Sequence, residues 1–178
     1  MRVELRWPLA APAKAASAAA TAVHAPGLGA SARAVVLDTN IVLDLLVFTD
    51  PATALLRQLL QTGDVRWVAT RPMRDELERV LAYPQVAPRV AFYGLSSAAV
   101  LQAYDAQVQW VEVPARVPVV CRDADDQQFL DLAAAHQALL LSKDKAVMAT
   151  RKRLLAHGVL AGTVLAQAAP AATASATA

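Results

Sequence analysis

The 178-residue chain has a single cysteine, Cys121, so no disulfide can form within it. A lone thiol suits a reducing compartment, and a cytoplasmic protein is expected. Only six glycines and no repeat period are present, which excludes collagen-like and solenoid architectures. No apolar run reaches the roughly 18 residues that cross a bilayer, so no membrane association is expected. His24, His136 and His157 lack the spacing of a zinc site, and Cys121 has no partner ligand. Acids are scarce at both ends. Residues 1–33 carry Arg2, Arg6, Lys14 and Arg33 against Glu4 alone, and residues 145–178 carry Lys145, Arg151, Lys152 and Arg153 against no acid. The remaining fourteen acids, with nine bases, lie in 34–144. An acidic centre with basic flanks suits a cation site that must also attract a polyanion; acid-poor tails alone give the same pattern.

What the chain has in excess is alanine, 41 residues, densest near the ends. Residues 1–33 are low in complexity and read as a disordered extension, as does the tail 166–178. A basic start followed by small residues also resembles a secretory signal, but Pro8, Pro12, Lys14 and Ser17 interrupt its apolar centre. The folded unit is then one domain over 34–165, long enough to bury a core without disulfides or a structural metal.

Within 34–165 apolar runs alternate with helical patterns. Strands are expected at Ala34–Leu37, Arg66–Thr70, Gln109–Val113 and Leu139–Leu141, with a weak last one near Val159–Val164. Helices are expected at Ile41–Phe48, from Pro51 (capped by Asp50) to the terminator Gly63, at Pro72–Ala82, from Ser96 or Ser97 to Gln107, at Asp125–Gln137 and at Lys145–Ala156. Such alternation predicts an α/β fold, a three-layer α/β/α sandwich with a central, mostly parallel sheet. Ligands of such sheets bind beyond the carboxyl ends of the strands, where the strand order reverses.

Acids stand at those ends. Asp38 follows the first apolar run directly, and Asp144 lies three residues past Leu141. Each could simply cap the next helix. Placed together at one sheet edge, they would repel unless one took up a proton or a cation lay between them. On Pro72–Ala82, a rotation of about 100° per residue puts Glu76 closest to the apolar stripe Met73–Leu77–Val80–Leu81. Asp75 points away and Glu78 is intermediate, and a boundary glutamate could instead pair with Arg74 or Arg79. Arg122-Asp123-Ala124-Asp125-Asp126 opens a helix with more negative charge than capping needs, and Asp123 and Asp126 face the same way. Carboxylates from four segments would make an oxygen-only site, which favours Mg²⁺ or Mn²⁺ over zinc and suits attack on phosphates.

These residues resemble the PIN-domain ribonuclease family, most closely its branch of toxins from toxin–antitoxin pairs. Val35-Val36-Leu37-Asp38-Thr39-Asn40-Ile41 resembles the opening strand, Asp75-Glu76-Leu77 with Arg79-Val80-Leu81 the second motif, Arg122–Leu130 a motif usually reading RDPDDDKFL, and Leu140–Asp144 the last strand end. The resemblance implies Asp38, Glu76, Asp126 and Asp144 as catalytic and metal-binding acids, with Asp123 beside them. Asp126 is preferred to Asp125 because the family places its last acid about 18 positions after the third, the separation of Asp126 and Asp144. Ala124 replaces a proline, Gln127 replaces an acid, and Lys143 and Lys145 flank Asp144. The resemblance further implies Mg²⁺- or Mn²⁺-dependent endonucleolytic hydrolysis of single-stranded RNA, a homodimer and a cognate antitoxin that blocks the site.

Thr39, Asn40 and Ser142 could hold the acids or bind phosphate, or could cap helices. Lys143, Lys145, Arg151, Lys152 and Arg153 could bind phosphate, or form a solvated basic face. Two other functions compete. A phosphatase with Asp38 as nucleophile would want an Asp where Asn40 stands. A non-catalytic PIN-like module would bind RNA or protein without turnover. A nucleotide-binding fingerprint at Gly27 and Gly29 fails because it precedes the first strand.

Overall fold

Strands buried on both faces need apolar side chains at every position rather than at alternate ones. Four short, mainly apolar runs, broken only by the half-buried Arg33 and Arg66, set the architecture of the computed structural model, which describes residues 2–9 and 32–168. They are β2 (Arg33–Leu37), β3 (Val65–Ala69), β5 (Leu139–Leu141) and β6 (Leu160–Gly162); the half-buried β4 (Val108–Trp110) joins at the edge. The five pair in parallel in the order β4-β3-β2-β5-β6. The chain therefore lays strands outward on one side of β2, then returns to build on the other. The switch lies between β2 and β5, where Leu37 is in register with Leu141. Helices flank this sheet: α1 (Thr39–Leu46), α2 (Ala54–Thr62), α3 (Arg71–Leu81), α4 (Ala87–Phe92), α5 (Ser97–Gln107), α6 (Gln127–Ala135), α7 (Lys145–Ala149) and α8 (Arg151–Leu154). Val35, Val36, Val68, Leu130, Leu132, Leu139 and Leu140 are completely buried between them. No single helix among the described residues is long and apolar enough to cross a membrane.

The α/β class and the parallel sheet are as the sequence predicts. Several elements differ. Glu4–Trp7 is not disordered: it forms β1, which pairs in parallel with β7 (Val164–Gln167) as a separate two-stranded sheet. An extension averaged over 33 alanine-rich residues conceals the four-residue alternation Glu4-Leu5-Arg6-Trp7, whose Leu5 and Trp7 pack against the core. For the same reason the ordered chain runs past 165, through Ala166 and Gln167. Residues 10–31 and 169–178, also expected to be disordered, lie outside the described residues. The expected strand near Val159–Val164 is two strands, separated at Thr163, whose N–H donates to the Val3 carbonyl at 2.7 Å.

The helix expected over Lys145–Ala156 is broken at Thr150 into α7, α8 and a 3₁₀ turn, Leu155–His157. The buried Thr150 hydroxyl donates back to the Val147 carbonyl at 2.6 Å, a bond that competes with the helical ladder. The strand expected over Gln109–Val113 ends at Trp110, and α6 begins at Gln127 rather than Asp125. Short α4, with only Val90 buried, carries too few apolar positions to show a period.

β1 is held at close quarters. A side-chain carbon at Gly162 would stand 2.6 Å from Leu5 Cγ and 3.0 Å from the Val3 carbonyl oxygen. Gly162→Ala is expected to push β1 outward and cost about 1–3 kcal/mol in urea denaturation. An unchanged midpoint would show that β1 is not seated there in solution.

Candidate active site

The end of β2 is the starting point. Asp38 follows Leu37, and its backbone N–H donates to the Leu141 carbonyl at 3.0 Å, tying the residue to β5 across the switch point. Its carbonyl receives the first N–H groups of α1, from Ile41 at 2.8 Å and Val42 at 3.1 Å. Its carboxylate does no capping. Oδ2 instead accepts from Asn40 Nδ2 at 2.7 Å and from the hydroxyl of Ser142. Asp38 is only 3% exposed, which makes it the most buried acid of the site.

Ser142 and Asn40 join the two strand ends. The Ser142 hydroxyl donates to Asp38 and accepts the Asp144 N–H at 2.9 Å, while Asn40 Oδ1 accepts the Lys143 N–H at 3.0 Å. Asp144 does cap: Oδ1 accepts from the N–H groups of Ala146 at 2.5 Å and Val147 at 3.3 Å. Of the two strand-end acids, then, one is spent partly on its helix and the other is not.

Glu76 comes from the middle of α3. The buried Thr39 hydroxyl donates to Oε1 at 2.7 Å, and Gln128 Nε2 donates to Oε2. Arg74 takes no part; it pairs with Asp105 at 2.8 Å and Glu78 at 3.3 Å. Gln128 is the residue that sequence reasoning missed. It stands where the family motif quoted above carries Lys, and that departure was its one signal. Its Oε1 is buried with no hydrogen-bond partner among the described residues.

Asp126 precedes α6 and its side chain caps nothing. It is half-buried, whereas Asp123 and Asp125 are exposed. Asp123 Oδ1 accepts the Asp125 N–H at 3.1 Å, which shapes the turn before the helix. Gln127 does not enter the site. Buried, it accepts from the Cys121 N–H at 2.8 Å and donates to the Val119 carbonyl at 3.0 Å and to Asp131 at 2.8 Å, fastening the preceding loop. Lys143 turns its ammonium away, into ion pairs with Asp44 and, at 3.3 Å, Asp50. Lys145 is exposed. Along α8, Arg151 is half-buried and Lys152 exposed, and Arg153 donates to the Val120 carbonyl at 3.3 Å.

The electrostatics follow from this placement. Burial raises the Asp38 carboxyl; hydrogen bonds from Ser142 and Asn40 work against that, and the Asp144 charge adds to it. Burial also raises Glu76, opposed by the Thr39 hydrogen bond and the Arg79 charge and reinforced by Asp38 and Asp125. Asp126 is pushed up to about 7, first by burial and then by Asp38, Asp144, Asp123 and Glu76, all acting in the same direction.

Among the described residues, no three His, Cys, Asp or Glu side chains stand at spacing that would hold a metal ion. By charge and donor type, however, the cluster fits a hard divalent cation: its ligands are carboxylate oxygens, and Gln128 Oε1 adds an unused one nearby. A cavity of about 480 Å³ lies elsewhere, lined by Arg2, Asp50, Lys143 and Thr163, and includes none of the four acids. The acids line an open edge instead.

Comparison with known proteins gives the family and the fold. The sequence matches the PIN domain over residues 34–146, and the chain belongs to that family. No curated protein matches it closely enough to be named as a relative. In fold it is similar to a chain of VapBC2 from Rickettsia felis, solved bound to a DNA fragment from their promoter. The two share 12% identity and a TM-score of 0.51, over 72% of this chain and 96% of that one.

The carboxyl of Asp126 keeps its proton in the native state to about pH 7, while the unfolded chain releases it near the ordinary 3.8. Between those values the native state binds more protons, so this group lowers stability as pH rises through the window. In EDTA the melting temperature should fall over that range. Asp126→Asn should flatten the fall and raise the metal-free melting temperature by a few degrees near pH 8. Thermal melts across pH check this, and an equal slope in both proteins would contradict it.

Proposed function

We propose that this PIN domain is a metal-dependent endoribonuclease that hydrolyses phosphodiester bonds of single-stranded RNA. The observation that carries the reading is the gathering of acids at the switch point: burial first, and then the charges of Asp38, Asp144, Asp123 and Glu76, push Asp126 up to about 7. Such a site is destabilising unless its charge is met. Asp38, Glu76, Asp126 and Asp144 would hold Mg²⁺ or Mn²⁺, with Asp123 at the margin. The bound ion supplies polarisation of the phosphoryl oxygen and a lowered pKa for the attacking water. The chain's own residues orient the acids. Asn40 and Ser142 fix Asp38 on one oxygen, and Thr39 and Gln128 grip Glu76 on both.

The biological setting we infer is a toxin–antitoxin pair in the cytoplasm. The Rickettsia felis neighbour is such a complex, and the motifs resemble the toxin branch of the family. A cognate antitoxin would then cover the acidic edge, and the toxin would act as a homodimer. Lys145 and the basic α8 are suited to phosphate contacts along the strand. A second reading is a non-catalytic RNA- or protein-binding module. It is favoured by the engagement of both Glu76 oxygens and by the absence of ligating spacing among the described acids.

Asp38→Asn should reduce Mn²⁺-dependent cleavage of single-stranded RNA to background while leaving the circular dichroism melt cooperative. Ser142→Ala, which keeps all four acids, should lower cleavage about 10- to 100-fold. Undiminished cleavage in Asp38→Asn would remove that residue from the reaction. Mn²⁺ should also raise the melting temperature of the unmodified protein. A Mn²⁺-dependent rise without any RNA cleavage would favour the non-catalytic module.

A further inference from the structure

An aromatic ladder leads from the core to the edge that carries the acids. Trp67, in β3, is buried and meets Tyr104 of α5 edge-on at 4.9 Å between ring centroids. Tyr104, also buried, stands 6.1 Å from half-buried Trp110 at the end of β4. The guanidinium carbon of Arg71 lies 3.8 Å from the centre of the Trp110 ring. Arg71 is exposed, and it opens α3 directly beyond the carboxyl end of β3. Arg74 on the same helix is neutralised by Asp105 and Glu78; among the described residues no ion pair includes Arg71.

The sheet order fixes where this ladder ends. β3 is the neighbour of β2, and β4 lies next outward. Arg71 and Trp110 therefore sit at the same carboxyl edge as Asp38, one and two strand spacings away, each about 4.8 Å. A polyanion approaching the acids would be repelled there, so a nuclease of this kind needs an uncommitted cation beside them. A guanidinium seated over an indole face is held there by the ring, and an exposed one keeps a side for a second planar group. Unstacked bases of single-stranded RNA are recognised by stacking on aromatic rings or guanidinium planes.

We propose that Arg71, seated on Trp110, is the stacking platform for a nucleobase next to the scissile phosphodiester of single-stranded RNA. The inference rests on the ribonuclease reading and adds to it a specificity-determining residue. The competing role for the pair is a structural clip that fastens the end of β4 to α3.

The test measures equilibrium binding of short fluorescent oligoadenylate and oligouridylate by the full chain with Mn²⁺ present. It uses the Asp38→Asn background, so that the strand stays intact. Arg71→Ala should weaken oligoadenylate binding about tenfold and oligouridylate less, because a purine offers more stacking surface. Arg71→Lys should restore the melting temperature and the salt dependence but not the preference for oligoadenylate. If Arg71→Lys recovers adenylate binding fully, the residue acts as a charge and the stacking role is overturned. If Arg71→Ala binds as tightly as its parent, the pair is a clip. RNA cleavage by the unmodified protein is measured alongside. Its absence would overturn the ribonuclease reading and this inference with it, whereas cleavage together with an indifferent Arg71 overturns the inference alone.

Discussion

Like-charge crowding at the switch point of a parallel sheet is the constraint on which the rest depends. The apolar strands β2 and β5 bring Asp38 and Asp144 side by side, and α3 and the start of α6 deliver Glu76 and Asp126 to the same edge. The cost is visible in the acids themselves: burial first, and repulsion between them second, raises Asp38, Glu76 and Asp126 alike. Their hydrogen bonds come from neutral donors: Asn40, Ser142, Thr39 and Gln128 each favour the ionised form without cancelling its charge, and the Arg79 charge eases Glu76 alone. Lys143, the nearest lysine to Asp144 on the strand side, is committed to Asp44 and Asp50. In the proposed function, the negative charge that remains is what a divalent cation would meet.

Much of this was legible in the sequence because it depends on local rules. An apolar run that stops at a carboxylate marks a strand end, and helical periodicity alone selected Glu76 over Asp75 and Glu78. The distinction between a capping acid and a site acid was not legible. Asp38 and Asp144 occupy the same kind of position, yet only Asp144 caps its helix. What separates them is Ser142, which reaches Asp38 from a distant strand. That contact spans 104 positions, and no local pattern encodes it.

The same limit explains the rest. Gln128 binds Glu76 across 52 positions, so it read as an ordinary helix residue. Gln127, noted as a departure at a site position, proved to be a fastening for the loop before α6. β1 escaped notice because composition was averaged over a long low-complexity stretch, although its partner β7 lies at the other end of the chain. Arg71 and Trp110 are 39 positions apart and meet only because β4 is laid beside β3.

The central claim is that the acids form one coupled charge whose relief comes from a divalent cation. Titration calorimetry of Mn²⁺ in buffers of different ionisation enthalpy tests it most directly, because the proton displaced on binding is counted along with the ion. The account predicts release of up to about one proton per ion bound near pH 7, with the release lost in Asp126→Asn. Binding with no proton release, or the same release in Asp126→Asn, would contradict it.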